Sequence, residues 1–176
     1  ASDVYKRQDL YWSPGMGFEY RSVDTLMVGM MLERVSGQSL AALTQERIWT
    51  PLGMESDATW NVDHPGGITK AFCCLNATAR DYAKLGQATM TSFLQFGNSF
   101  IDNAWRLQMS QNVTTFDHGW GYGNFIWHPS PGSTMFLGLY GQFIYIRPAD
   151  GVVIVKLSNN KSGSFEEATV KIFDQI

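Results

Sequence analysis

The spacing of apolar residues changes once along the chain, near His118, and that change sets the order of any architecture it can adopt. From Val23 to Val35 the apolar side chains fall at Val23, Leu26, Met27, Met30, Met31 and Val35, which is helical spacing, and Gly37 stands where a C-terminal cap is needed. Ser39 can cap a second helix whose apolar face is Leu40, Leu43 and Ile48, ended by Pro51 and Gly53. Asn61 to Gly67 reads as surface loop. Thr78 and Asp81 have the spacing of a capping arrangement, so a third helix begins near Asn76 or Thr78 and continues its apolar face through Tyr82 and Leu85. A fourth, weaker helix is expected from Asp102 to about Gln108.

Beyond His118 the pattern is that of strands. Gly119 to Trp127 alternates glycine with aromatics and then turns apolar, as a strand does where its backbone must approach a neighbour closely. Thr134 to Tyr140 and Gln142 to Arg147 are further strands, followed by the turn Pro148-Ala149-Asp150-Gly151 and the β-branched run Val152 to Val155. Such a series folds as an antiparallel meander. Ser164 with Glu167 forms a capping box for a last helix, with Phe165, Ala168, Ile172, Phe173 and Ile176 on one face, expected to lie across the sheet. Helices, then an antiparallel sheet, then a C-terminal helix is an α+β order. Phe143, Tyr145 and Arg147 line one side of the sheet and Ile144 and Ile146 the other, so one covering helix leaves an open face that needs a partner.

With 44% apolar residues in 176, the chain has enough material for one domain with a core. Its 13 Lys and Arg against 16 Asp and Glu leave a charge of −3, which offers no basic field for nucleic acid or an anionic membrane. The longest apolar stretch, Leu26 to Leu32, is far short of the roughly 20 residues of a membrane span, so no transmembrane segment is expected. The only cysteines, Cys73 and Cys74, are adjacent, which argues against a disulfide scaffold and for two buried thiols beside Phe72 and Leu75. His64, His118 and His128 lie too far apart for ligand spacing, so no metal site is expected. The opening residues Ala1 to Gln8 resemble a peptide that recurs at the ends of reading frames assembled from environmental reads, and residues 1–8 are expected to be a non-native leader. They show no secretory signal pattern.

The segment with most chemistry is Ser13 to Ser22, immediately before the first helix. Tyr20 and Ser22, two apart in an extended segment, can turn their hydroxyls to one side, a good mount for proton transfer. A free phenol has a pKa of about 10 and serves as a base near neutrality only beside a cation. The alternative is that Tyr20 packs at the helix entry and Ser22 is an N-cap.

The run from Phe18-Glu19-Tyr20-Arg21-Ser22 through Leu32-Glu33-Arg34-Val35-Ser36-Gly37 to Glu46-Arg47-Ile48-Trp49-Thr50-Pro51-Leu52-Gly53-Met54 resembles the centre of the serine beta-lactamase-like hydrolases. That family takes in class C beta-lactamases, penicillin-binding proteins, related esterases and 6-aminohexanoate-dimer hydrolases, and Leu75 to Gly86 resembles its next helix entry. The resemblance covers nearly the whole chain and implies a partial beta-lactamase/transpeptidase-like fold, here the C-terminal part, residues 9–176, of one hydrolase domain. It implies acyl transfer on a small-molecule amide or ester, without a cofactor, by the serine of a Ser-x-x-Lys, assisted by a Tyr-x-Asn and by an edge strand whose Lys or His motif precedes an oxyanion N–H. By that resemblance Tyr20 takes the tyrosine position and Ser22 the Asn position, and Gly138-Leu139-Tyr140-Gly141-Gln142 takes the edge strand, with Gln142 as the oxyanion donor. Tyr140 and Gly141 of that strand, together with the aromatics Trp120 and Tyr122, are the candidate substrate-binding residues.

Two departures stand out. Leu139-Tyr140 lacks the family's cation, which weakens a beta-lactam reading more than a general hydrolase reading. No Ser-x-x-Lys precedes Tyr20, and Ser158-Asn159-Asn160-Lys161 follows the last strand in a polar turn, so the chain is expected to be a fragment inactive by itself. A periplasmic or secreted location fits the resemblance; compartment, oligomeric state and substrate identity stay open. Two other readings remain: a non-catalytic module stacking a sugar or peptide on Trp120, Tyr122, Trp127 and Tyr140, and a hydrolase homologue without catalysis.

Overall fold

The computed structural model describes residues 12–13, 15–91, 108–109, 111–159 and 166–176. The leader expected over residues 1–8, most of the helix expected from Asp102, and Ser164 and Phe165 of the closing cap lie outside them.

The described helices begin and end where local chemistry dictates. Helix α1 spans Ser22–Ser36 and closes at Gly37, whose φ of 70° lets its N–H reach the Glu33 carbonyl. Arg21, not Ser22, is its N-cap, so Ser22 is the first helical residue and caps nothing. Helix α2, Leu40–Thr44, is capped by the Ser39 hydroxyl accepting the Ala42 N–H at 3.2 Å, and passes into a π turn over Gln45–Trp49. Helix α3, Ala79–Met90, starts on Thr78, whose hydroxyl accepts the Asp81 N–H. Helix α4 is Glu166–Phe173.

In α1 the spacing identified the covered face only in part: Val23, Leu26, Met27 and Met30 are half-buried, whereas Met31 and Val35 of the same set are exposed. Gly29 is buried, with Ala71 so near that a Cβ on Gly29 would lie 2.5 Å from the alanine Cβ. Val28, Met31, Leu32 and Val35 are instead 41%, 57%, 46% and 87% exposed. The helix is apolar nearly all round, so periodicity alone does not choose a face.

The short strands β1, Thr59–Trp60, and β2, Leu75–Asn76, pair antiparallel around the loop that the sequence marks. The main sheet is a meander of β3 (Thr114–Thr115), β4 (Gly121–Gly123), β5 (Ile126–His128), β6 (Thr134–Gly138), β7 (Gln142–Arg147) and β8 (Val152–Lys156), each antiparallel to the next. The single strand expected over Gly119 to Trp127 is a hairpin: Asn124 and Phe125 turn the chain at φ of 51° and 66°, the two left-handed residues of a primed turn. The expected close approach is present, because a Cβ on Gly123 would lie 2.3 Å from the Gln111 carbonyl oxygen.

Trp120, Met135, Phe143 and Tyr145 pack with Val170 and Phe173 of α4, so the closing helix lies across the sheet as expected. The opposite face is not open. Helix α3 returns to cover it, with Gly86 against Val153 and Ile144. A lone helix far upstream in sequence carries no mark of the face it will cover. A methyl on Gly86 would sit 2.6 Å from Val153 Cγ1 and 2.8 Å from Ile144 Cγ2, both on stiff β-branched side chains. Overpacking costs roughly 1–3 kcal/mol and the gain in helix propensity is about 1. Gly86→Ala is therefore expected to destabilise by about 1 kcal/mol, measurable by chemical unfolding.

The expectation of two reduced thiols is corrected: Cys73 and Cys74 are bonded to each other, their Cα atoms 3.7 Å apart. The surrounding turn explains how neighbours meet. The Cys73 N–H donates to Lys70 O, Trp60 Nε1 donates to Lys70 O and Cys73 O, and Cys74 is held at φ 70°. The bond closes within one dipeptide and ties no two elements together.

Candidate active site

Tyr20 arrives on the extended segment before α1 and lies on the β4–β5 hairpin, its ring 5.3 Å from Tyr122 and 5.9 Å from Trp127. Tyr122 and Trp127 pair across the hairpin with centroids 4.8 Å apart. Phe18, two residues earlier, contacts Tyr122 at 5.6 Å and Phe116 at 6.0 Å. This aromatic bed fixes the phenol ring while leaving Tyr20 57% exposed. Tyr122 differs: it is 8% exposed, and burial, with a smaller effect from Tyr20, pushes its phenol up to about 12. Arg21 pairs with Glu19, holding that carboxyl below its usual range. Ser22 opens α1 beside this segment.

The second group lies in the turn between β6 and β7. The Gly141 N–H closes the turn on the Gly138 carbonyl at 3.0 Å, and φ of 74° at Gly141 is the left-handed conformation that glycine adopts at least cost. Gln142 braces it: its Oε1 accepts the Tyr140 N–H at 3.1 Å and its Nε2 donates to the Ser158 carbonyl. Leu139 and Tyr140 point outward, 81% and 41% exposed.

Register relates the two groups. β5 and β6 pair Trp127 with Met135, and β6 and β7 pair Gly138 with Gln142. Counting two residues back along β5 and two forward along β6 aligns Phe125 with Leu137, so the Asn124–Phe125 turn and the Leu139–Gly141 turn share one end of the sheet. Tyr20 leans on the Tyr122–Trp127 pair, the second from that hairpin tip.

The proposed aromatic platform is not one open surface. Trp120 is 6% exposed within the core and Tyr122 is covered, whereas Tyr140 stands apart on its turn. One polar residue went unnoticed in sequence: Lys156, opposite Phe143 in β8, sends its Nζ to the Gly141 carbonyl at 2.9 Å and over the Phe143 ring. The edge turn lacks a cation of its own but receives one from the neighbouring strand. Only the register of β7 on β8 reveals it. Among the described residues no group of three His, Cys, Asp or Glu side chains could hold a metal ion, and no helix is long and apolar enough to cross a membrane.

Among known proteins, the 6-aminohexanoate-dimer hydrolase of Paenarthrobacter ureafaciens is 27% identical over 160 residues, covering 81% of this chain and 39% of the relative. A solved Bacillus anthracis protein described as a 6-aminohexanoate-dimer hydrolase superposes with a TM-score of 0.85 at 28% identity, over 99% of this chain and 47% of its own. A penicillin-binding protein from Bacillus halodurans shares the fold at 15% identity and a TM-score of 0.69, over 96% of this chain and 59% of that one. The chain thus spans less than half the length of either of the first two relatives. The Beta-lactamase family model matches residues 1–175, and this chain belongs to that family.

Proposed function

We propose that the chain is the tyrosine-bearing portion of a serine hydrolase that cleaves a small amide or ester through an acyl-enzyme, with a Ser-x-x-Lys nucleophile contributed by chain N-terminal to Tyr20. The observation that carries this reading is the placement of Tyr20, fixed on Tyr122 and Trp127, at the sheet end that also holds the Gly141–Gln142 peptide. In this reading the serine Oγ attacks the substrate carbonyl while the Tyr20 hydroxyl passes the serine proton to the leaving group. The Gln142 N–H stabilises the oxyanion, and water then releases the acyl group. Ser22, at the start of α1, orients the proton path.

Leu139 and Tyr140 rim the site with apolar surface and a phenol where a beta-lactam enzyme carries a cation. That favours a linear amide or ester, and the likeness to 6-aminohexanoate-dimer hydrolases supports the same class. The exposed stripe Val28, Met31, Leu32 and Val35 on α1 is a face that further chain of the domain would cover.

A full-length protein carrying this segment is expected to hydrolyse p-nitrophenyl acetate and the linear 6-aminohexanoate dimer, and to be labelled by a fluorophosphonate at one serine. A folded protein with neither turnover nor label overturns the reading.

A further inference from the structure

The turn between β6 and β7 is held from outside itself. Lys156 reaches across from β8 with its Nζ 2.9 Å from the Gly141 carbonyl oxygen, and its charge lies 5.3 Å from the centre of the Phe143 ring. The Ser158 carbonyl, two residues further along, receives the Gln142 side-chain amide. Two bonds from the end of β8 therefore grip one turn. A Cβ on Gly141 would stand 3.4 Å from the lysine nitrogen, an ordinary contact, so the lysine packs directly against this residue.

The Gly141 carbonyl and the Gln142 N–H belong to one trans peptide unit and point in opposite directions within its plane. Fixing the carbonyl on one side fixes the N–H on the other. We infer that Lys156 is a positioning residue: by holding the Gly141 carbonyl it aims the Gln142 N–H at the place where negative charge develops during acyl transfer. The inference rests on the hydrolase reading above for its catalytic consequence, but the clamp on the peptide plane does not. An oxyanion donor works only if it already points at the transition-state oxygen, because reorientation during the reaction forfeits its advantage. A left-handed glycine beside it has wide conformational freedom, and the turn's own bond from the Gly141 N–H to the Gly138 carbonyl holds the preceding peptide unit, so a bond to the Gly141 carbonyl adds restraint to this one. Lys156 supplies it with a charge-assisted bond.

The test uses the full-length protein and two variants. Lys156→Met keeps the aliphatic stem over Phe143 and loses the donor; Lys156→Arg keeps a cationic donor. With Lys156→Met, kcat for both p-nitrophenyl acetate and the linear amide dimer is expected to fall about tenfold with KM changed less than about twofold, the pattern of an interaction felt in the transition state. Lys156→Arg is expected to recover most of that loss. Independently of turnover, hydrogen–deuterium exchange of a peptide spanning Gly138 to Gln142 is expected to quicken several-fold in Lys156→Met and not in Lys156→Arg. Unchanged exchange in a folded Lys156→Met protein overturns the clamp, and altered exchange with unchanged kcat overturns its catalytic role. If the wild-type protein hydrolyses nothing, the hydrolase reading fails and the exchange result alone decides whether Lys156 holds the turn.

Discussion

Tyr20→Phe in the full-length protein is expected to lower kcat for amide and ester hydrolysis by about 10²–10⁴-fold, the range for losing a positioned proton-transfer group. The phenylalanine ring keeps the packing that fixes this position, against Tyr122 at 5.3 Å and Trp127 at 5.9 Å, so near-UV circular dichroism and melting temperature should barely move. Tyr20→Ala removes ring and hydroxyl together and should add a stability loss, which separates the two contributions. The neighbouring tyrosine cannot take over the task. Burial pushes the Tyr122 phenol up to about 12, so near neutrality it holds its proton, and it is 8% exposed where Tyr20 is 57% exposed. KM should change little, because the hydroxyl acts while bonds are forming and breaking. Turnover unchanged in Tyr20→Phe removes the residue from the mechanism.

What could be read from the sequence follows a physical divide between local and distant chemistry. The cap at Thr78 with Asp81, the Ser39 cap and the Gly37 terminator all depend on residues within one helical turn, and they stand where their spacing puts them. The strand alternation of Phe143 and Tyr145 against Ile144 and Ile146 also survives, because the two-residue period fixes faces without knowledge of partners. Features set by distant chain were not legible. Phe125 in the left-handed region carries no turn signature, so a hairpin reads as one strand. The buried face of α1 depends on Ala71 and Leu40, and the cover that α3 gives the sheet depends on Gly86 meeting Val153. In the candidate site the family resemblance proposes Tyr20 and Gln142 from sequence alone, whereas Lys156 is visible only once Phe143 is known to lie opposite it. Adjacent cysteines read as reduced thiols until Trp60 and Lys70 are seen to shape the turn around them.

Asp81→Ala is expected to cost about 3 kcal/mol of stability, because it strands more than one buried donor at once. Asp81 is fully buried; its Oδ1 accepts the Glu55 N–H at 2.7 Å and its Oδ2 accepts the Thr78 hydroxyl at 2.8 Å. Its carboxylate thereby joins the start of α3 to the segment after the π turn, and α3 in turn backs β7 and β8. Burial raises this carboxyl's pKa, but the Glu55 N–H, the Thr78 hydroxyl, the Ser56 N–H and the charge of Lys84 together outweigh it and leave the folded value below the ordinary 3.8. A depressed folded pKa means the unfolded chain takes up the proton first as acid is added. The contribution of Asp81 is therefore complete above the unfolded value and drains away as pH falls through the folded one. Urea unfolding of the full-length protein should show the gap between wild type and Asp81→Ala widest near pH 7 and narrowing below about pH 4. Asp81→Asn keeps a carbonyl for the Glu55 N–H, and the Thr78 hydroxyl can rotate to accept from the new amide, so its loss should be nearer 1 kcal/mol. A gap for Asp81→Ala that stays constant from pH 7 to pH 3 would mean that shape, not charge, holds this junction together.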